Sequence, residues 1–109
     1  MCTYVTETLP VTGSAKGATG WIRVTDATVY YDHPVHAMAD HTLNIDLAPA
    51  DGSPAERVAL ELTADAAVRL AATIVRTLDA VPADLTGLDE ETLTLLRTLA
   101  SRTGAGTRT

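Results

Sequence analysis

All three histidines of the chain, His33, His36 and His41, fall in one segment, YYDHPVHAMADHTLNID at 30–46, with Asp32 and Asp40 beside them. Imidazole binds Zn, Cu, Ni or Fe, and a carboxylate adds a harder oxygen ligand. A turn after His36 brings the three rings onto one centre. A divalent transition metal such as Zn is therefore the candidate cofactor, with His33, His36 and His41 as its ligands. Asp32 or Asp40 completes the shell or orients a ring nitrogen. An open fourth position lets the metal activate water or polarise a carbonyl. The spacing is neither HExxH nor that of a standard finger. In a straight strand His33 and His36 point to opposite faces. A shared centre thus requires non-strand backbone between them, which Pro34 favours. Without a metal, the same rings serve acid–base chemistry, or they bond to loop carbonyls and stack with Tyr30 and Tyr31.

Cys2 is the other reactive side chain. Removal of Met1 before a small residue exposes Cys2 as an N-terminus, with a free amine beside the thiol. Such a pair chelates a soft metal, or the thiol acts as nucleophile with its own amine as base. A buried small hydrophobe is the plain alternative. The candidate catalytic set is therefore Cys2, His33, His36, His41, Asp32 and Asp40. Tyr4, Thr6, Asp26, Thr28, Tyr30 and Tyr31 can add polar groups to a pocket.

The elements that position these residues follow from periodicity. Residues 2–11 are rich in β-branched side chains and predict a strand or extended arm, with Pro10 at an edge or an end. GSAKGATG at 13–20 predicts a turn or open loop; its spacing matches no phosphate-binding fingerprint. Residues 21–31 predict a long strand. Asp26 interrupts its face of Ile22, Val24, Thr28 and Tyr30, so a bulge or bend is expected there. In the next strand His41, Leu43, Ile45 and Leu47 alternate with Thr42, Asn44 and Asp46, which predicts a half-buried strand with its apolar face inward. PADGSPAE at 49–56 predicts a turn. Val58, Leu60 and Leu62 share a face of the strand that closes a hairpin with it.

At Thr63 the period changes to helical. Ala67, Leu70, Ala71, Ile74, Val75 and Leu78 form an apolar stripe. A second helix is expected from about 88 to 101, with Asp89, Glu90 and Glu91 at its start and Arg97 and Arg102 towards its end. The expected architecture is α+β: an antiparallel sheet of about four strands covered by a long helix, with a shorter C-terminal helix. At 109 residues the chain fits a single small domain over 1–102, followed by a flexible tail at 103–109.

Composition narrows the function. The chain is 46% hydrophobic and 20% charged, enough apolar material for a core. Limited buried surface in so short a chain makes a dimer a sensible expectation. The formal charge is -6, and basic residues form no stripe, which excludes nucleic acid as a partner. One cysteine excludes an intrachain disulfide. No apolar run reaches membrane-spanning length and no signal peptide is recognised, so a soluble cytoplasmic protein is expected.

The segments MCTYVTE, VTGSAKGATGW and YYDHPVHAMADHTLNID resemble a group of small actinobacterial proteins of unknown function, over roughly residues 2–78. The resemblance implies a complete small protein and carries no activity or ligand. Alanine- and threonine-rich composition is in keeping with a high-GC bacterial source. Two functions follow from the residues. One is a small enzyme acting on a small polar or carbonyl-containing molecule by metal-assisted hydrolysis, hydration or lyase chemistry, or through an N-terminal cysteine nucleophile. The other is a non-catalytic dimeric protein that binds a small ligand or another protein.

Overall fold

The computed structural model describes residues 5–49 and 56–103. The chain divides into two compact units, Met1–Asp65 and Ala66–Thr109. The first contains four strands: β1 (Thr6–Gly17), β2 (Gly20–Asp32), β3 (Thr42–Ala48) and β4 (Val58–Leu62). They pair antiparallel in chain order, β1-β2-β3-β4. This meander is the four-stranded antiparallel sheet expected from the alternation.

β1 extends further than its glycines suggest. Gly13 and Gly17 lie within the strand, paired with Val24 and Gly20. Only Ala18 and Thr19 make the turn, and Gly20 takes φ +133 to close it. That backbone conformation is open to glycine and closed to most other residues. The irregularity expected at Asp26 is present, but on the partner strand. The register shifts between Pro10, opposite Asp26, and Gly13, opposite Val24. The extra residue therefore bulges from β1, an edge strand, where a proline without a donor is tolerated.

Register sorts the side chains into two faces. One face carries the rows Leu9–Ala27–Leu47–Val58 and Glu7–Val29–Ile45–Leu60, then Tyr31–Leu43–Leu62. The other carries Thr8–Thr28–Asp46–Ala59 and Thr6–Tyr30–Asn44–Glu61, then Asp32–Thr42. On this second face the Thr8 and Thr28 hydroxyls meet at 3.3 Å. Alternation along β3 predicts that this polar side meets water, and the structure differs. Thr42 is 0% and Asn44 4% exposed, while Leu43, Ile45 and Leu47 are only half-buried. Both buried polar residues sit on a central strand, flanked by β2 and β4. Thr42 donates from Oγ1 to Asn44 Oδ1 at 2.6 Å, which satisfies the amide oxygen that burial would otherwise orphan.

The second unit begins within α1 (Ala64–Asp79), whose start after Thr63 matches the change of period. A four-residue turn of helix, α2 (Ala83–Thr86), follows; periodicity gave no sign of it. α3 (Glu90–Arg102) is capped by Asp89, whose carboxylate accepts from the Thr92 amide at 2.8 Å. That backbone bond holds the Asp89 carboxyl below its ordinary value. Leu96 and Ala100 are the buried residues of α3. An apolar cleft of about 170 Å³ is lined by Val75 and Leu78 of α1 and by Leu88, Thr92, Leu95, Leu96 and Leu99. Asp79, the last residue of α1, pairs with Arg97 of α3. Among the described residues, no helix is long and apolar enough to cross a membrane. Thr103 bonds back through its amide to Leu99 and Ala100. The rest of the expected tail, 104–109, and most of the expected turn, 50–55, lie outside the described residues.

Candidate functional site

The segment 33–41 links β2 to β3, and the two sides of its backbone serve different faces of the sheet. At its start Asp32 Oδ1 accepts from the His33 amide at 2.6 Å, a local turn that ends β2. His33 Nδ1 is 2.9 Å from the Asp40 carbonyl, which ties the two ends of the segment together. The His33 and His41 rings stack at 4.5 Å with 27° between their planes. His41 in turn stacks on Tyr31 at 5.7 Å. Tyr31 belongs to the apolar set of rows, so His33 and His41 gather on that side.

His36 goes elsewhere. The three consecutive amides of Val35, His36 and Ala37 all donate to the carboxylate of Glu61 on β4. His36 and Ala37 reach Oε1 at 2.9 and 2.8 Å, and Val35 reaches Oε2. Successive N–H groups form a concavity that suits an anion, and here the chain supplies the anion itself. The Val35 and Ala37 bonds, then that of His36, hold the Glu61 carboxyl below its ordinary value of 4.5. Glu61 stands across from Asn44. The clamp therefore lays 35–37 over the polar face of the sheet.

Between that segment and the sheet lies a cavity of about 510 Å³. Tyr30, Asn44, Asp46, Arg57, Ala59, Glu61 and His36 line it, together with Val35, Ala37 and Leu60. The Tyr30 hydroxyl donates to Asp46 Oδ2 at 3.3 Å. Arg57 Nη1 stands 3.8 Å from the same oxygen. Burial, the Asp46 charge and this bond raise the Tyr30 phenol above its ordinary value of 10.0, so it stays protonated and remains a donor. The bond from Thr42 occupies the Asn44 carbonyl oxygen, which leaves its NH₂ group as the remaining polar part of a side chain that lines the cavity.

His33 and His41 are brought together, and His36 is separated from them by the clamp. Asp32 and Asp40 act locally on the linking segment, through Oδ1 and the backbone carbonyl respectively. Among the described residues, no group of three or more His, Cys, Asp or Glu is placed to hold a metal ion. Cys2 lies outside the described residues, as does Tyr4. Of the suggested pocket residues, Tyr30 lines the cavity. Asn44, Asp46, Arg57 and Glu61 were not anticipated. Their signal was present in the hairpin register: if Leu43, Ile45 and Leu47 face Leu62, Leu60 and Val58, then Asn44 and Glu61 must share the other face.

The clamp has a testable pH response. Glu61 titrates lower when folded than when unfolded, so its contribution is fully present above 4.5. It is lost only as pH falls through the lowered value. The amides of Val35, His36 and Ala37 are expected to keep their protection from solvent exchange on mild acidification and to lose it together as Glu61 protonates at its lowered value. In Glu61→Gln the same amides exchange faster with solvent at neutral pH. Unchanged exchange there would remove the clamp from the account.

The chain belongs to a family of unknown function, DUF6295, whose model matches residues 1–87. That span contains the whole sheet, the 33–41 segment and every residue lining the cavity. Neither a curated protein nor a solved structure matches the chain.

Proposed function

We propose that this protein binds a small polar molecule in the cavity on the polar face of its sheet. The observation that carries this reading is the conversion of that face from solvent surface to cavity floor. Thr42 and Asn44 are buried there, Glu61 holds 35–37 across it, and Tyr30, Asn44, Asp46 and Arg57 line the open cavity between them. A concave site with a few fixed polar groups among apolar neighbours is the usual form of a small-molecule site.

His36 in the same cavity as the Tyr30 phenol supports a second, catalytic reading. A protonated phenol supplies the acid and an imidazole the base for proton transfer on a carbonyl-containing ligand, as hydrolysis, hydration or lyase chemistry requires. Metal-assisted chemistry at His33 and His41 is a separate proposal, since those two rings stack together on the other side of the linking segment.

A thermal-shift screen of small polar metabolites tests the main reading. Ala59 is exposed on an edge strand and lines the cavity. Ala59→Trp is expected to fill the space, keep the fold and weaken any compound found by about tenfold or more, a loss of roughly 1.4 kcal/mol. Compounds that bind Ala59→Trp as well as the parent protein would place the site elsewhere. His36→Ala separates the two readings: binding survives in it, and turnover, if the catalytic reading holds, does not.

A further inference from the structure

We infer that the ligand of this cavity is a small zwitterion of the amino-acid type, its ammonium group on Asp46 and its carboxylate on Arg57; the inference rests on the cavity being a binding site. The wall carries one available charge of each sign. Glu61 also lines the cavity, but its carboxylate is already met by three amide donors. Asp46 and Arg57 are differently placed. Their separation of 3.8 Å is an ion-pair distance, longer than the roughly 2.7–2.9 Å of a charge-assisted hydrogen bond. Both polar contacts of Asp46 with described residues, from Tyr30 and Arg57, fall on Oδ2. Its other oxygen retains full accepting capacity towards the cavity, among the described residues.

Depth sets the orientation. The Asp46 side chain is 18% exposed and that of Arg57 53%, so the acid lies on the floor and the guanidinium at the mouth. An α-amino acid carries its ammonium and carboxylate on one carbon, which lets a single ligand meet both partners. The ammonium donates to Asp46, and the carboxylate receives the planar fork of Arg57. A monoanion would meet Asp46 as a like charge, and a simple amine would meet Arg57 as one. The ligand's remaining carbon atoms have Val35, Ala37 and Ala59 to lie against.

Three compounds of matched chain test this by calorimetric titration: L-norleucine, hexanoate, which lacks the ammonium, and pentylamine, which lacks the carboxylate. Norleucine is expected to bind at least about tenfold tighter than either. In Asp46→Asn its advantage over hexanoate falls away; in Arg57→Gln its advantage over pentylamine does. Hexanoate or pentylamine binding as tightly as norleucine would overturn the zwitterion and leave the cavity reading standing. So would a neutral polar compound that binds while norleucine does not. Failure of every class of small polar compound at this cavity would overturn both. The comparison within the unmodified protein needs no variant, so it holds even if a substitution disturbs folding.

Discussion

Replacing Thr42 with valine lowers folding stability by about 1–3 kcal/mol, the usual loss when a buried polar group is left without its partner. Thr42 is fully buried and donates to Asn44, itself almost fully buried. Valine matches the shape of threonine and removes only the donor, so the cost is that of the stranded amide oxygen. Thr42→Ser keeps the hydroxyl and recovers most of the loss. Thr42→Val combined with Asn44→Leu loses less than the sum of the two single changes, because both act on one bond. Denaturant midpoints at constant slope measure the parent protein and the four variants. Additive losses would show that the two side chains are not coupled. The same variant bears on function: with its oxygen released, the Asn44 amide is free to turn, and ligand affinity falls along with stability.

Leu96→Ala carries the larger expected cost, about 2–5 kcal/mol, the range for truncating a buried leucine. Leu96 is 6% exposed, and the residues that line the cleft with it are Val75, Leu78, Leu88, Leu95 and Leu99, with Thr92. The surface of the existing cleft is apolar, so the lost contacts are not replaced. Leu95→Ala on the same helix is the control. Leu95 is 55% exposed, and its truncation costs well under half as much. Equal effects at the two positions would mean that the burial of Leu96 does not hold this unit together.

These outcomes bear on what the sequence made legible. Period alone located β3, β4, α1 and α3, because each is long enough for alternation or the helical stripe to show. It failed where two elements must be superposed. Alternation over 41–47 predicts a strand with its leucines inward and its polar residues towards water. The histidines of 33–41 predict a shared centre held by the connection 33–40. Only together do they show that the link folds over the polar side, where Thr42 and Asn44 are buried. The histidines drew attention because imidazole is rare and reactive. Glu61 did not, because a glutamate in RVALEL reads as an ordinary exposed strand residue. Its role depends on three backbone amides, and amides carry no side-chain signature. Likewise the bulge was felt at Asp26 although it lies opposite, between Pro10 and Gly13.

The cavity is the central claim, and nuclear magnetic resonance of the ¹⁵N-labelled protein with mixtures of small polar fragments tests it most directly. Fragments that bind are predicted to shift the Asn44 side-chain NH₂ pair together with the amides of 35–37 and 57–61. Shifts gathered instead around His33 and His41 or along 64–103, with the Asn44 pair unmoved, would contradict it.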